Sequence, residues 1–142
     1  MKWTDKKQLG RTDHFHIPEV GLVHLSARID TGAAYCALHC ASAQVSQEDN
    51  TLRVVMDNGA SYSFTEYKKI AVKSSFGESQ ERFAVLLSIS IYRQPYRIWV
   101  GLTAREKMRY PLLVGRNLLR EGFVVDVKKR NLSYRFDLKY TV

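Results

Sequence analysis

Apolar and polar residues alternate with period two along most of this chain, the signature of strands with one face buried. Residues 23–29 (Val-His-Leu-Ser-Ala-Arg-Ile) alternate in this way and run directly into Asp30-Thr31-Gly32. Residues 52–56 and 61–64 flank Asp57-Asn58-Gly59. An Asn-Gly pair supplies the positive φ of a tight turn, so a hairpin is expected there. Residues 82–91 and 96–102 read as two more strands, with the turn between them at Gln94-Pro95. Residues 123–127 and 132–138 read as a closing hairpin around Lys128-Lys129-Arg130-Asn131. Helix is scarce. Residues 104–108 suit one short turn ended by Pro111, and residues 117–121 a second, terminated at Gly122. Short, regularly spaced strands predict an all-β fold, a closed β-barrel or a sandwich. Nothing alternates strand with long helix, which argues against a doubly wound α/β fold.

Length narrows this picture. The chain has 142 residues, enough for one domain (1–142) with a real core and too few for a (β/α)₈ barrel. An active site here is compact, or is completed by a second copy of the chain. Charge changes the picture less. Lys and Arg total 22 against 14 Asp and Glu, a net charge of +8. That admits an anionic partner such as RNA, a membrane or an acidic peptide, but a solvated basic surface is the simpler reading, since charge alone says nothing about fold or site. Cys36 and Cys40 lie too close in sequence for a bridge that closes more than a very short loop, so a reduced, cytoplasmic protein is expected. No apolar run reaches the length of about 18 residues that spans a bilayer, and Met1-Lys2-Trp3-Thr4-Asp5 lacks the apolar core of a signal peptide.

Two segments can carry chemistry. In Ala27-Arg28-Ile29-Asp30-Thr31-Gly32-Ala33 a strand ends in an acid followed by a hydroxyl and small residues. Small residues let backbone N–H groups approach the carboxylate, and Thr31 can hold the loop. In Pro111-Leu112-Leu113-Val114-Gly115-Arg116-Asn117-Leu118-Leu119 an apolar strand reaches a glycine and passes into a short helix. Either alone is ordinary punctuation, an Asp-initiated turn or a strand-turn-helix.

Together and in this order the two segments resemble the retropepsin-like aspartic peptidases, on Ile29-Asp30-Thr31-Gly32-Ala33 and Leu113-Val114-Gly115-Arg116-Asn117-Leu118-Leu119. The resemblance covers about residues 20–127. More narrowly, Val72-Lys73-Ser74-Ser75-Phe76-Gly77, Arg82, residues 102–108 and Leu112-Leu113-Val114-Gly115-Arg116 resemble the bacterial RimB type, a family often labelled ATP-dependent zinc proteases. The resemblance implies a retropepsin-like closed barrel with one short C-terminal helix. It implies an endopeptidase whose nucleophile is water, activated between two aspartates that share one proton. It gives Asp30, Thr31 and Gly32 the catalytic loop and Ala33 a place beside substrate. Leu113, Val114, Gly115, Arg116 and Asn117 become structural support. Ser75, Phe76 and Gly77 fall at the tip of a substrate-covering flap, with Asp57-Asn58-Gly59 as the rival hairpin.

One chain carries one Asp-Thr-Gly, so the resemblance implies a homodimer in which a two-fold-related Asp30 completes the dyad. Asp126 and Asp137 lack a following Thr/Ser-Gly pair and are expected to be structural. Zinc is not expected. His-Glu-x-x-His is absent, and Cys36-Ala37-Leu38-His39-Cys40, even with His14, His16 or His24 added, lacks the paired knuckles of structural zinc sites. Nor is there a phosphate-binding Gly-x-x-x-x-Gly-Lys-Ser/Thr loop. No cofactor is expected beyond the catalytic water, and the partner expected is a peptide or protein substrate. Two other readings stand beside the peptidase. One is a catalytically silent binding module on the same fold. The other is a ribosome- or RNA-associated adaptor, suggested by the charge and by the family's association with the ribosome-modifying RimK enzyme.

Overall fold

A computed structural model describes residues 7–73, 76–104 and 109–140. The alternating segments form the strands of a closed barrel. In chain order the elements are β1 (Lys7–Leu9), β2 (Thr12–Ile17), β3 (Leu22–Ile29), β4 (Cys36–His39), β5 (Ser42–Val45), β6 (Leu52–Val55), β7 (Ser61–Phe64), β8 (Tyr67–Lys73), β9 (Ser79–Ile91), β10 (Gln94–Thr103), β11 (Leu112–Val114), α1 (Arg116–Leu119), β12 (Phe123–Val125) and α2 (Leu132–Tyr140). A single 3₁₀ turn, Pro18–Val20, links β2 to β3. The sheet order β10-β4-β11-β3-β2-β9 closes on itself through β9–β10, making a six-stranded barrel with β8 attached outside β9.

The barrel encloses one core. Leu9, Phe15, Ile17, Leu38, Leu52, Leu87, Ile89, Ile91, Leu112 and Leu118 lose essentially all contact with solvent. The alternation shows in β2, where Asp13, Phe15 and Ile17 are buried and the residues between them are not. β5, β6 and β7 form a separate three-stranded sheet, with Asp57-Asn58-Gly59 in the predicted β6–β7 turn. There Gly59 takes φ +86°, the left-handed conformation that glycine adopts at little cost.

Three sequence expectations change. Residues 132–138 are not a strand. β12 instead pairs in parallel with β1, and residues 132–140 form α2. The β9–β10 turn is Tyr92-Arg93, not Gln94-Pro95. Both turn residues have positive φ, as a two-residue hairpin of this hand requires, and Gln94 and Pro95 already pair with Ile91 and Ser90. Tyr92 is anchored there by its hydroxyl, which donates to Gln8 O, and by the edge-on ring of Phe136. Asp137 lies on α2 rather than on a strand, and Asp126 follows β12 with its carboxylate accepting from Lys128 N–H. The short turn expected at residues 104–108 falls largely outside the described residues.

The helix α2 is fixed by Asp13. This carboxylate is fully buried and accepts the backbone N–H groups of Gly10 and Ser133 and the hydroxyl of Ser133. It satisfies donors at the helix start that would otherwise be buried without partners.

Candidate active site

The end of β3 meets the end of β11 at Asp30. Val114 pairs with Ile29, and the Asp30 N–H donates to Val114 O at 2.9 Å. The chain then turns away. Gly32 N–H donates to the Asp30 carboxylate oxygen Oδ1 at 3.0 Å, and Ala33 N–H donates to Asp30 O at 3.2 Å. A backbone donor on one carboxylate oxygen orients that group and leaves the other oxygen open. Asp30 is half-buried, and Thr31 and Gly32 are exposed.

The Gly115 segment forms the floor beneath this loop. Arg116 N–H donates to Ala33 O at 2.8 Å, Asn117 N–H to Ala34 O at 3.2 Å, and the Arg116 guanidinium to Thr31 O at 3.1 Å. Asn117 ties three elements together. Its Oδ1 accepts Cys36 N–H at 2.9 Å and its Nδ2 donates to Trp99 O at 2.7 Å. Gly115 is required by space. A Cβ there would lie 2.5 Å from Tyr35 O and 2.9 Å from Ala33 O. Leu113 pairs with Arg28 and Ala37, and Val114 is fully buried. Val114, Arg116 and Asn117 thus contact the Asp30 loop mainly through the backbone, Gly115 lies close against it, and Leu113 pairs one step back on β3 and β4.

The flap candidate divides. Ser75 lies outside the described residues. Phe76 and Gly77 sit between β8 and β9, beyond the Lys73–Ser79 pair that closes the hairpin. Phe76 is 92% exposed and Gly77 has φ +80°. The strand registers lead this hairpin off the barrel past the Cys40–Thr103 end of β4 and β10, whereas Asp30 stands at the Cys36 end. A cavity of about 570 Å³ opens at the hairpin base, lined by Cys40, Lys69, Arg82, Phe83, Leu102 and Thr103 among others. Sequence reasoning missed Lys68, whose ammonium lies 4.4 Å from the Trp99 ring centre and 6.0 Å from that of Tyr35. Neither pairing has a local signal, because β8, β10 and the Asp30 loop meet only in the fold.

Cys36, His39 and Cys40 are not brought together. Burial pushes the Cys36 thiol up to about 11, and its sulfur accepts Gly115 N–H. Burial, with the Asp57 charge as a smaller cause, raises Cys40 as well. Thiols held protonated in this way are poor metal ligands and nucleophiles. His39 is bound to Asp57 at 2.8 Å. Among the described residues, the group that gathers three metal-ligating side chains is His16, His24 and Asp137. No helix among them is long and apolar enough to cross a membrane.

Known proteins place this architecture. A solved structure of Lpg0085, a Legionella pneumophila protein of unknown function, superposes with a TM-score of 0.71 and 28% identity, covering 89% of this chain and 98% of that one. The probable alpha-L-glutamate ligase of Desulfotalea psychrophila is 25% identical over 130 residues, which is 85% of this chain and 28% of that protein. The probable alpha-L-glutamate ligase of Shewanella pealeana is 24% identical over 127 residues, 83% of this chain and 28% of the relative. The chain thus spans 28% of the length of these curated relatives. The model of a family described as retropepsin-like aspartic endopeptidase RimB matches residues 8–135, a wider span than the motifs alone cover, and so takes in β2 and the start of α2. The barrel, the Asp30 loop on its Gly115 floor and this match agree: the chain belongs to the RimB-like family of retropepsin-like aspartic endopeptidases.

Proposed function

We propose that this chain is an aspartic endopeptidase that works as a homodimer, each copy supplying one Asp30. The observation that carries the proposal is the Asp30 loop. One oxygen of a half-buried carboxylate is held by Gly32 N–H, next to the exposed Thr31 and Gly32. A second copy, related by two-fold symmetry and placed against Thr31 and Gly32, brings its own Asp30 to the first.

Two carboxylates that close cannot both ionise, so they hold one proton between them and titrate as a unit. The ionised member takes a proton from water as the water oxygen bonds to the scissile carbonyl carbon. The protonated member gives its proton to the carbonyl oxygen. Collapse of the resulting gem-diol breaks the C–N bond, and the leaving nitrogen takes up the proton. The net change is one water added across one peptide bond. In this reading Ala33 borders the substrate, whereas the Phe76–Gly77 hairpin leaves the barrel at the opposite end from Asp30 and is given no part in closing the site.

The substrate class follows from two supports. Arg28 is exposed two residues before Asp30 on the same strand, and the Arg116 guanidinium lies at Thr31. Lys68 sits over Trp99 and Tyr35 at the far side of the loop. Cations in these positions favour acidic peptides, and relatives that share this region are named for glutamate ligation. Glutamate-rich peptides are therefore the first substrates to try. The test is cleavage of a peptide library at acidic pH by wild type and by Asp30→Asn. Cleavage lost in the variant, with its circular dichroism spectrum unchanged, supports the reading. Equal behaviour of the two proteins sinks it.

A further inference from the structure

Far from Asp30, β2, β3 and α2 bring together His16, His24 and Asp137. His16 Nε2 lies 3.2 Å from Asp137 Oδ2. The His16 and His24 rings meet edge to face at 4.6 Å between centres. One ligating atom from each of the three residues lies within 4.8 Å of the others. Bonds of about 2.0–2.1 Å to a tetrahedral ion put neighbouring ligand atoms about 3.3 Å apart. The His16–Asp137 pair is already at that spacing, and the exposed His24 offers a ring nitrogen within 4.8 Å of both.

The backbone supports the same conclusion independently. Phe15 pairs with Leu25 and Ile17 with Leu22, so the β2–β3 register slips by one residue opposite His16. His24 sits in this bulge with φ +49°, a left-handed conformation that a side chain with a Cβ rarely adopts. Strain of this kind persists where the surroundings impose it, and it marks places worth a functional explanation. Here the bulge puts His24 against His16.

We propose that His16, His24 and Asp137 bind one divalent transition-metal ion of the zinc type. Two imidazoles and a carboxylate are the donors that Zn²⁺, Co²⁺ and Ni²⁺ accept, and harder ions such as Mg²⁺ and Ca²⁺ do not favour. Without the ion, His24 N–H donates to His16 Nδ1 at 3.1 Å, so neutral His16 carries its proton on Nε2 and donates it to Asp137. The ion takes the place of that proton. His16 then holds its proton on Nδ1, and the His24 N–H gives up its bond to that atom while the bulge keeps His24 beside His16. No net proton is gained or lost by His16. The site lies about 20 Å from Asp30 by the rise along β3, so its role is to pin α2 to the barrel rather than to take part in hydrolysis. The proposal does not depend on the peptidase reading.

The experiment uses the full chain, free of any affinity tag and stripped of metal. Co²⁺ is titrated while its visible absorption is followed, Zn²⁺ is titrated by calorimetry, and thermal unfolding is recorded with Zn²⁺ and with a chelator. The expected result is one ion per chain and a midpoint that rises with Zn²⁺ and falls back with chelator. His24→Ala, an exposed change, weakens binding roughly tenfold or more, and Asp137→Asn weakens it too. His39→Ala, which touches the other Asp–His pair, leaves binding unchanged. Binding that survives His24→Ala, binding lost in His39→Ala, or no saturable binding at all overturns the site.

Discussion

The Asp30 loop and the helix α2 are both joined to the barrel by contacts between residues far apart in sequence, yet they are built from different materials. The loop rests on main chain. Asp30, Ala33 and Ala34 exchange backbone hydrogen bonds with Val114, Arg116 and Asn117, and a glycine lets the two segments touch. The helix rests on side chains. One buried carboxylate, Asp13, holds its first turn, and His16 holds Asp137. Backbone contact demands a fixed geometry and small residues at fixed places, so it leaves a motif. Side-chain anchoring needs only one suitable group at the right point in space, so it leaves almost none.

The difference is sharpest under substitution. Gly115→Ala drives a Cβ into Tyr35 O, with main chain on both sides and no flexible atom to yield. A cost of about 3 kcal/mol follows from such overpacking. It should appear as a lower denaturation midpoint together with lost peptide cleavage, because the floor of the Asp30 loop moves. A variant of wild-type stability would mean that the two segments are not in the contact described.

Asp13→Ala attacks the other region. It strands the N–H groups of Gly10 and Ser133 in a buried setting, at a cost of about 2–3 kcal/mol. Amide hydrogen exchange in α2 should accelerate while the amides of Gly32, Ala33 and Arg116 keep their protection. If both regions loosen together, the two anchorages are one cooperative unit and the contrast fails.

Those two regions also mark what could be read in advance. The period-two pattern placed β3, β6, β7, β9 and most of β10, and Ile29-Asp30-Thr31-Gly32 with Gly115-Arg116-Asn117 located the candidate site. The pattern misled at residues 132–138, where Leu132, Tyr134, Phe136 and Leu138 alternate with polar residues as a strand would. In the helix Ser133 is fully buried and Leu138 is 63% exposed, the reverse of the hydrophobic order. What decides the matter is Asp13, some 120 residues away in sequence. For the same reason β2 carries a clean alternation that hydrophobicity hides, since one of its inward residues is an aspartate. Tyr92-Arg93 lacks the glycine or asparagine that usually announces such a turn, and is held by contacts to Gln8 and Phe136 instead.

The smallest expected effect concerns acid. Burial holds the His14 imidazole below its ordinary 6.5. The Asp13 charge opposes this, the His24 and His16 charges add to it, and Asp137 opposes again. The unfolded chain therefore binds the proton more readily than the folded one. This contribution to stability is complete above 6.5 and is lost as pH falls from 6.5 through the folded value. Denaturant midpoints measured on either side of 6.5 should show a loss on the acid side that His14→Gln reduces. A variant with an unchanged pH profile would remove His14 from the account and leave the acid response of this region to other groups.

The central claim is that one chain holds half of an active site. Its most direct test is to hold wild type at a fixed low concentration, add increasing Asp30→Asn protein, and follow cleavage of a glutamate-rich peptide. Copies that share a dyad exchange partners, so an excess of the variant should draw wild-type chains into inactive mixed pairs and drive the rate toward zero. A rate that depends on the wild-type chain alone and ignores the added variant would contradict the claim.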